Sequence, residues 1–239
     1  ASTTRSDSLA RSPRTARMDE PLVRGHRTAG HCPRGPGRAA APRVRRLQVL
    51  AGAAMIALLA LPAVRAPMQA KMATHMLVQF PLLVAAGALL AASCSAGLRS
   101  RIGRWNAQGI AGLVAVAGVL GLSMIPRLLD LALADARIDA AKWLALLLCG
   151  AALRLSWRPA GLVVRGFFLG NLLPMTAVAG ILCQEASARL CNSYRLDEQE
   201  FVGQLLVGLA GAAAAAWLGH LAWRTMREAR ASLRGQAGA

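Results

Sequence analysis

The side chains best able to hold a ligand lie close together in one stretch: Met68, Met72, His75 and Met76, with Gln79 one turn further on. On a continuous helix, spacings of four and then three residues put Met68, Met72, His75 and Gln79 within a stripe of roughly 60°, with Met76 at its margin. Two or three thioethers beside an imidazole suit Cu(I), a soft ion that accepts few ligands. Methionine is also ordinary packing material and His75 could be a polar residue at a membrane interface, so the stripe reads either way. Pro81 removes a backbone donor and leaves the carbonyl of Leu77 without its helical partner, which predicts a break just below the stripe.

A second group lies near the far end. Cys183 and Cys191 are eight residues apart, which on one straight helix places them roughly 12 Å from each other. A disulfide needs Cα atoms within about 7 Å and hence a turn between them. Three readings stay open for the pair: a disulfide, free packing thiols, or metal ligands.

Other chemistry is excluded by what the spans lack. His75 and His220 fall near opposite ends of the apolar region, on the order of 25 Å apart, too far to share a haem, so no haem is expected. No carboxylate lies in mid-span to serve a buried proton relay. There is no phosphate-binding loop, no dinucleotide glycine fingerprint and no His-Glu-x-x-His. No catalytic constellation is visible, and the chain reads as a non-enzyme.

The elements that must position these residues follow from composition. Of 239 residues, 55% are hydrophobic and 16% charged, and mean hydropathy is +0.42. Soluble domains carry nearer a quarter charged residues. Six apolar runs emerge, at 47–64, 72–98, 105–126, 143–153, 166–184 and 201–223. Most approach the roughly 20 residues that cross a bilayer core. The fourth is short and spans only if Arg154 reaches back toward the head groups and the helix continues to Trp157. The fold class is therefore all-α, a polytopic membrane bundle of about six transmembrane helices with short loops. Residues 1–46 read as a disordered basic tail, 47–223 as the membrane domain and 224–239 as a second basic tail. Residues 127–141 read as an amphipathic surface helix or an extension of the third span.

The net charge of +17 resembles a nucleic-acid footprint until it is located. With both termini inside, the inner segments carry all +17 and the outer loops sum to zero. That is the positive-inside asymmetry of a membrane protein. No nucleic-acid motif accompanies it, and nucleic acid is not an expected partner.

Two stretches, taken together, resemble the CtaG family of cytochrome oxidase assembly factors. Thr74-His75-Met76-Leu77-Val78-Gln79-Phe80-Pro81-Leu82-Leu83 is similar to that family's His-Met-x-x-His-x-Leu-Leu segment, with Gln79 where the family has a second His. Asp197-Glu198-Gln199 is similar to its Asp-Gln pair, here split by Glu198. The resemblance carries over His75, Met76, Asp197 and Gln199. It implies a role in maturing copper-containing terminal oxidases of the bacterial inner membrane.

These readings lead to an inner-membrane accessory protein that binds or hands over copper on the periplasmic side. Its partners are the bilayer and a membrane protein such as a copper enzyme subunit. Met68, Met72, His75 and Met76 are the expected ligands, and Asp197 and Gln199 close the outer face or receive the partner. A structural subunit of a respiratory or oxygenase complex and a small-solute or metal permease are the alternatives. The charge split predicts cytoplasmic N- and C-termini. Reporter fusions at Ala239 and in the Arg189 loop check this: the first should report cytoplasm and the second periplasm, and a periplasmic Ala239 would overturn the arrangement.

Overall fold

In a computed structural model of the chain, residues 42–186 and 194–237 are described. They form helices joined by short connections, with no strand among the described residues. In chain order these are α1 (Pro42–Ala60), α2 (Pro62–Ala70), a π-helical turn (Thr74–Gln79), α3 (Phe80–Leu90), α4 (Ala96–Trp105), α5 (Ile110–Ser123), α6 (Pro126–Ala134), α7 (Ala136–Trp157), α8 (Leu162–Glu185) and α9 (Leu196–Ala237).

Helix ends fall where local chemistry requires them. Pro62 cannot donate to the preceding turn and forces Leu61 into extended backbone. The α1–α2 pair is bent by 69° there. Ser95 caps α4 by accepting from the backbone N–H of Leu98 at 3.2 Å. The corner between α4 and α5, bent by 87°, turns on Gly109 at φ 74°, where a side chain would be strained. Asp135 caps α7, accepting from the N–H of Arg137 at 2.8 Å.

Three helical stretches are long and apolar enough to cross a membrane: Thr74–Ser93, Leu162–Glu185 and Leu196–Ala231. The count rises to five if each bent pair is one span. Each of the six apolar runs of the sequence contains helix, but those at 47–64, 72–98 and 105–126 are interrupted, at Leu61, at 94–95 and at 106–109 and 124–125. Exposed Leu50, Leu58, Leu144, Val163, Phe167, Val178 and Leu209 give these helices an apolar outer surface, suited to lipid.

Three boundaries differ from the sequence reading. α1 begins at Pro42, so the last five residues of the segment expected to be disordered are helical; residues 1–41 lie outside the described residues. The stretch 127–141 divides into α6 and the first turns of α7, because Asp135 is extended. The basic segment after 223 is no separate tail but the continuation of α9 to Ala237, supported there by Arg227 stacked 4.0 Å from the Trp223 ring centre.

α7 occupies the centre. It runs parallel to α3, and their backbones touch: a Cβ on Gly150 would overlap the carbonyl oxygen of Val84, and one on Gly87 the carbonyl oxygen of Leu147. α8 and α9 form an antiparallel hairpin on the same principle, with Gly180 and Gly203 each against the other's carbonyl oxygen. Small residues at crossings are how membrane helices gain packing without a hydrophobic drive. Two apolar clusters fill the interior. One surrounds Met72, Phe80, Leu83, Leu146, Val202 and Leu206. The other surrounds Leu113, Val116, Cys149 and Phe168.

The α3–α7 contact predicts a sharp difference between glycines. Gly150→Leu should force the helices apart and cost about 3 kcal/mol, whereas Gly211→Leu, which meets nothing within 4 Å, should leave stability near wild type. Thermal unfolding in detergent checks both, and equal midpoints would refute the contact.

Candidate functional site

The end of the bundle where α2, the π turn, α7 and the start of α9 meet contains most of the polar side chains named from sequence. The helix after Lys71 does not continue α2, because Lys71 is extended at φ −120°, ψ 135°. The reading of Met68, Met72 and His75 on one continuous helix face is thereby corrected: Met68 ends up half-buried on α2, and Met72 opens the next helix. The break exposes backbone groups that local side chains then satisfy. The Met72 N–H donates to the Glu198 carboxylate at 3.4 Å, an anion at a helix N-terminus. The Thr74 hydroxyl lies 2.7 Å from the Met68 carbonyl and 3.0 Å from that of Lys71.

The break expected at Pro81 takes the form of the π turn over Thr74–Gln79. Pro81 has no N–H for the Leu77 carbonyl, and the longer i→i+5 turn is a way to pass that gap. Its consequence is that His75, Met76 and Gln79 are all buried.

His75 is wholly buried and both its ring nitrogens are engaged. Nε2 lies 2.9 Å from Lys142 Nζ, and Nδ1 lies 2.8 Å from the Tyr194 hydroxyl. An ammonium can only donate, so Nε2 accepts and Nδ1 carries the ring proton. Nδ1–H then donates to Tyr194 Oη, which in turn donates to the Gln69 carbonyl at 3.0 Å. Lys142 Nζ also lies 2.7 Å from Asp139 Oδ1. Asp139 Oδ2 accepts from Arg65 at 2.6 Å. Phe80 packs nearly perpendicular to the His75 ring, ring centres 5.4 Å apart, and Lys142 Nζ lies over the Phe80 ring, 5.7 Å from its centre. The result is one chain of polar contacts, Arg65–Asp139–Lys142–His75–Tyr194, drawn from α2, α7, the π turn and the segment before α9.

The other named residues separate. Gln199 is 2% exposed and its Nε2 donates to the Cys183 carbonyl at 3.1 Å, so it joins α9 to α8 beside the site. Asp197 is exposed and paired with Arg195 at 3.1 Å; Glu198, not Asp197, reaches the π-turn region. Cys183 is a buried free thiol, while Cys191 lies outside the described residues. Asn171, within α8, donates to the Phe167 carbonyl of its own helix at 2.8 Å. The amide of Gln79 is fully buried with no hydrogen-bond partner among the described residues.

Next to the polar chain lies a small gap of about 10 Å³ lined by Met72, Met76, Met124 and Cys183, with apolar walls that include Leu129 and Leu206. Among the described residues no group of three His, Cys, Asp or Glu is placed to hold a metal ion. Sulfur is the donor this end concentrates. Sequence reasoning missed Arg65, Asp139, Lys142, Tyr194 and Met124. The signals were present: Asp139 and Lys142 sit at i, i+3, and Tyr194 is the chain's single tyrosine.

Comparison with known proteins returned no matching family model, no matching curated protein and no matching solved structure.

The polar chain makes unequal demands on its members. Asp139→Ala leaves Lys142, itself 10% exposed, without its counter-charge and should lower stability by about 3 kcal/mol. Tyr194→Phe removes two neutral hydrogen bonds, one with His75 and one with the Gln69 carbonyl, and should cost about 2 kcal/mol. Unfolding titrations in mixed micelles check the ranking; an Asp139→Ala protein as stable as wild type would refute the ion-pair assignment.

Proposed function

We propose that this chain is a non-enzymatic membrane accessory protein that binds Cu(I) at one end of its helix bundle. The observation that carries the reading is the convergence of three thioethers and one thiol, Met72, Met76, Met124 and Cys183, on one small gap. Thioether and thiolate are soft donors that select Cu(I) over harder ions. Apart from Ser123 the walls are apolar, so sulfur outnumbers oxygen among the side chains at the gap. The gap is roughly the size of one probe sphere, suited to a single ion and not to an organic solute.

The donor set differs from the one the sequence suggests. His75 has both ring nitrogens committed to Lys142 and Tyr194, so it ligates only if one of them is displaced. In this reading His75 is a positioning residue that holds the π turn, and with it Met72 and Met76, against α7. Met68, half-buried on α2, packs on the same cluster. The resemblance to copper-oxidase assembly factors supports the same chemistry. Six spans with cytoplasmic termini complete the proposal. α7 is 22 residues long, about 33 Å of helix, and its charges find partners: Asp139 in the polar chain, and Arg154 on the Ala88 carbonyl and Gln48, each at 3.0 Å. The copper end then faces the periplasm, where a partner enzyme would take the ion.

The test is a Cu(I) titration of the detergent-purified protein against a competing chelator, under reducing conditions. Cys183→Ser and the volume-conserving pair Met72→Leu/Met124→Leu should each weaken binding by at least about tenfold, the loss of one good ligand. His75→Ala should weaken it less. Unchanged affinity in the sulfur variants, or no binding by wild type, would overturn the reading.

A further inference from the structure

The opposite end of the bundle carries a different chemistry, and its reading does not depend on the metal proposal. α4 contains Arg99, Arg101 and Arg104 and ends at Trp105, which is 89% exposed. It meets α5 at an 87° bend. With α5 across the bilayer, α4 lies along the surface, where tryptophan and arginine belong at head-group depth.

Between α4 and α7 runs an open groove of about 720 Å³, within the usual range for a small-molecule site. Arg101, Arg104 and Trp105 form its rim, and Leu148, Ala152 and Leu155 are prominent along its α7 side. Asn106 and Ser156 close its end by bonding each other at 2.7 Å, so they are already satisfied. The stretches that line the groove carry charge of one sign. No Asp or Glu occurs from residue 72 to 129 or from 143 to 184. The rim arginines therefore have no acidic neighbour in these stretches. Arg99 differs, since it donates to the Cys94 carbonyl at 3.3 Å.

We infer that this groove holds an anionic phospholipid, its phosphate between Arg101 and Arg104 and one acyl chain along Leu148, Ala152 and Leu155. Guanidinium groups bind phosphate oxygens through paired N–H donors, and the apolar α7 side asks for hydrocarbon. A free phosphate would satisfy the rim and leave that side wet. A zwitterionic lipid would satisfy the apolar side and place its own cation among the arginines. The bound lipid would also hold α4 against α7, a contact that the protein's own side chains leave open.

The experiment compares lipid retained by the full chain after delipidation in detergent and exposure to equal phosphatidylglycerol and phosphatidylcholine, read by native mass spectrometry. Wild type should retain phosphatidylglycerol in preference by on the order of tenfold, given about 1 kcal/mol for each arginine at a membrane surface. Arg101→Gln/Arg104→Gln should lose that preference. Arg224→Gln/Arg227→Gln, which removes equal charge from α9, should keep it, and Arg101→Lys/Arg104→Lys should retain most of it. Equal retention of the two lipids by wild type would overturn the inference. So would equal losses in the two Gln pairs, or displacement of the lipid by millimolar inorganic phosphate. The altered side chains are exposed, so folding should survive, and size-exclusion chromatography confirms it.

Discussion

Asp139 is 4% exposed and lies between two cations, Lys142 at 2.7 Å one turn along its own helix and Arg65 at 2.6 Å from α2. An ion in low dielectric carries a desolvation cost of several kcal/mol, and the cost is offset only by close partners in good geometry. That requirement organises the whole end of the bundle. α2 must lie where Arg65 reaches α7, which the sharp bend at Leu61 allows. Lys142, held by Asp139, is in turn directed at the His75 ring. The π turn, α2 and the start of α9 are all drawn to one carboxylate.

The backbone irregularities at this end have a common origin. Extended Lys71 and proline at 81 bracket a segment that cannot be regular α-helix throughout. The π turn between them widens the helix where His75, Met76 and Gln79 turn inward. Such turns are frequent at functional sites, and here the buried residues include Met76 of the proposed copper site. Glu198 and Thr74 satisfy the groups that the break releases, so irregular backbone survives in an apolar setting.

The two ends of the bundle divide the labour. One gathers sulfur, a buried imidazole and a compensated ion cluster. The other gathers arginines and an exposed tryptophan beside an apolar groove. Between them the helices touch through glycines, Gly87 against Leu147, Gly150 against Val84, and Gly180 against Gly203, where backbone approaches too closely for any side chain. These crossings fix the depth and rotation of α3 and α7, and so the side chains that each end presents.

Periodicity, apolar runs and charge placement determined, from the sequence alone, that the chain is helical and suited to a membrane. They also marked the Met-His stretch and the break at Pro81, because those signals are local. Prolines and caps then set most helix ends within a few residues. The composition of the site was not legible in the same way. His75 at the stripe's centre promised a ligand, but its nitrogens are taken by Lys142 and Tyr194, which lie 67 and 119 residues away. Asp139 fell in a stretch that reads as an amphipathic surface helix or an extension of the third span, since a sequence does not show which cation will fold against it. Met124 and Cys183 had no visible relation to Met72 and Met76. Only the packing of the α5–α6 corner, α8 and α9 around the π turn brought them to one gap, because a site shared by several helices is decided by where those helices cross.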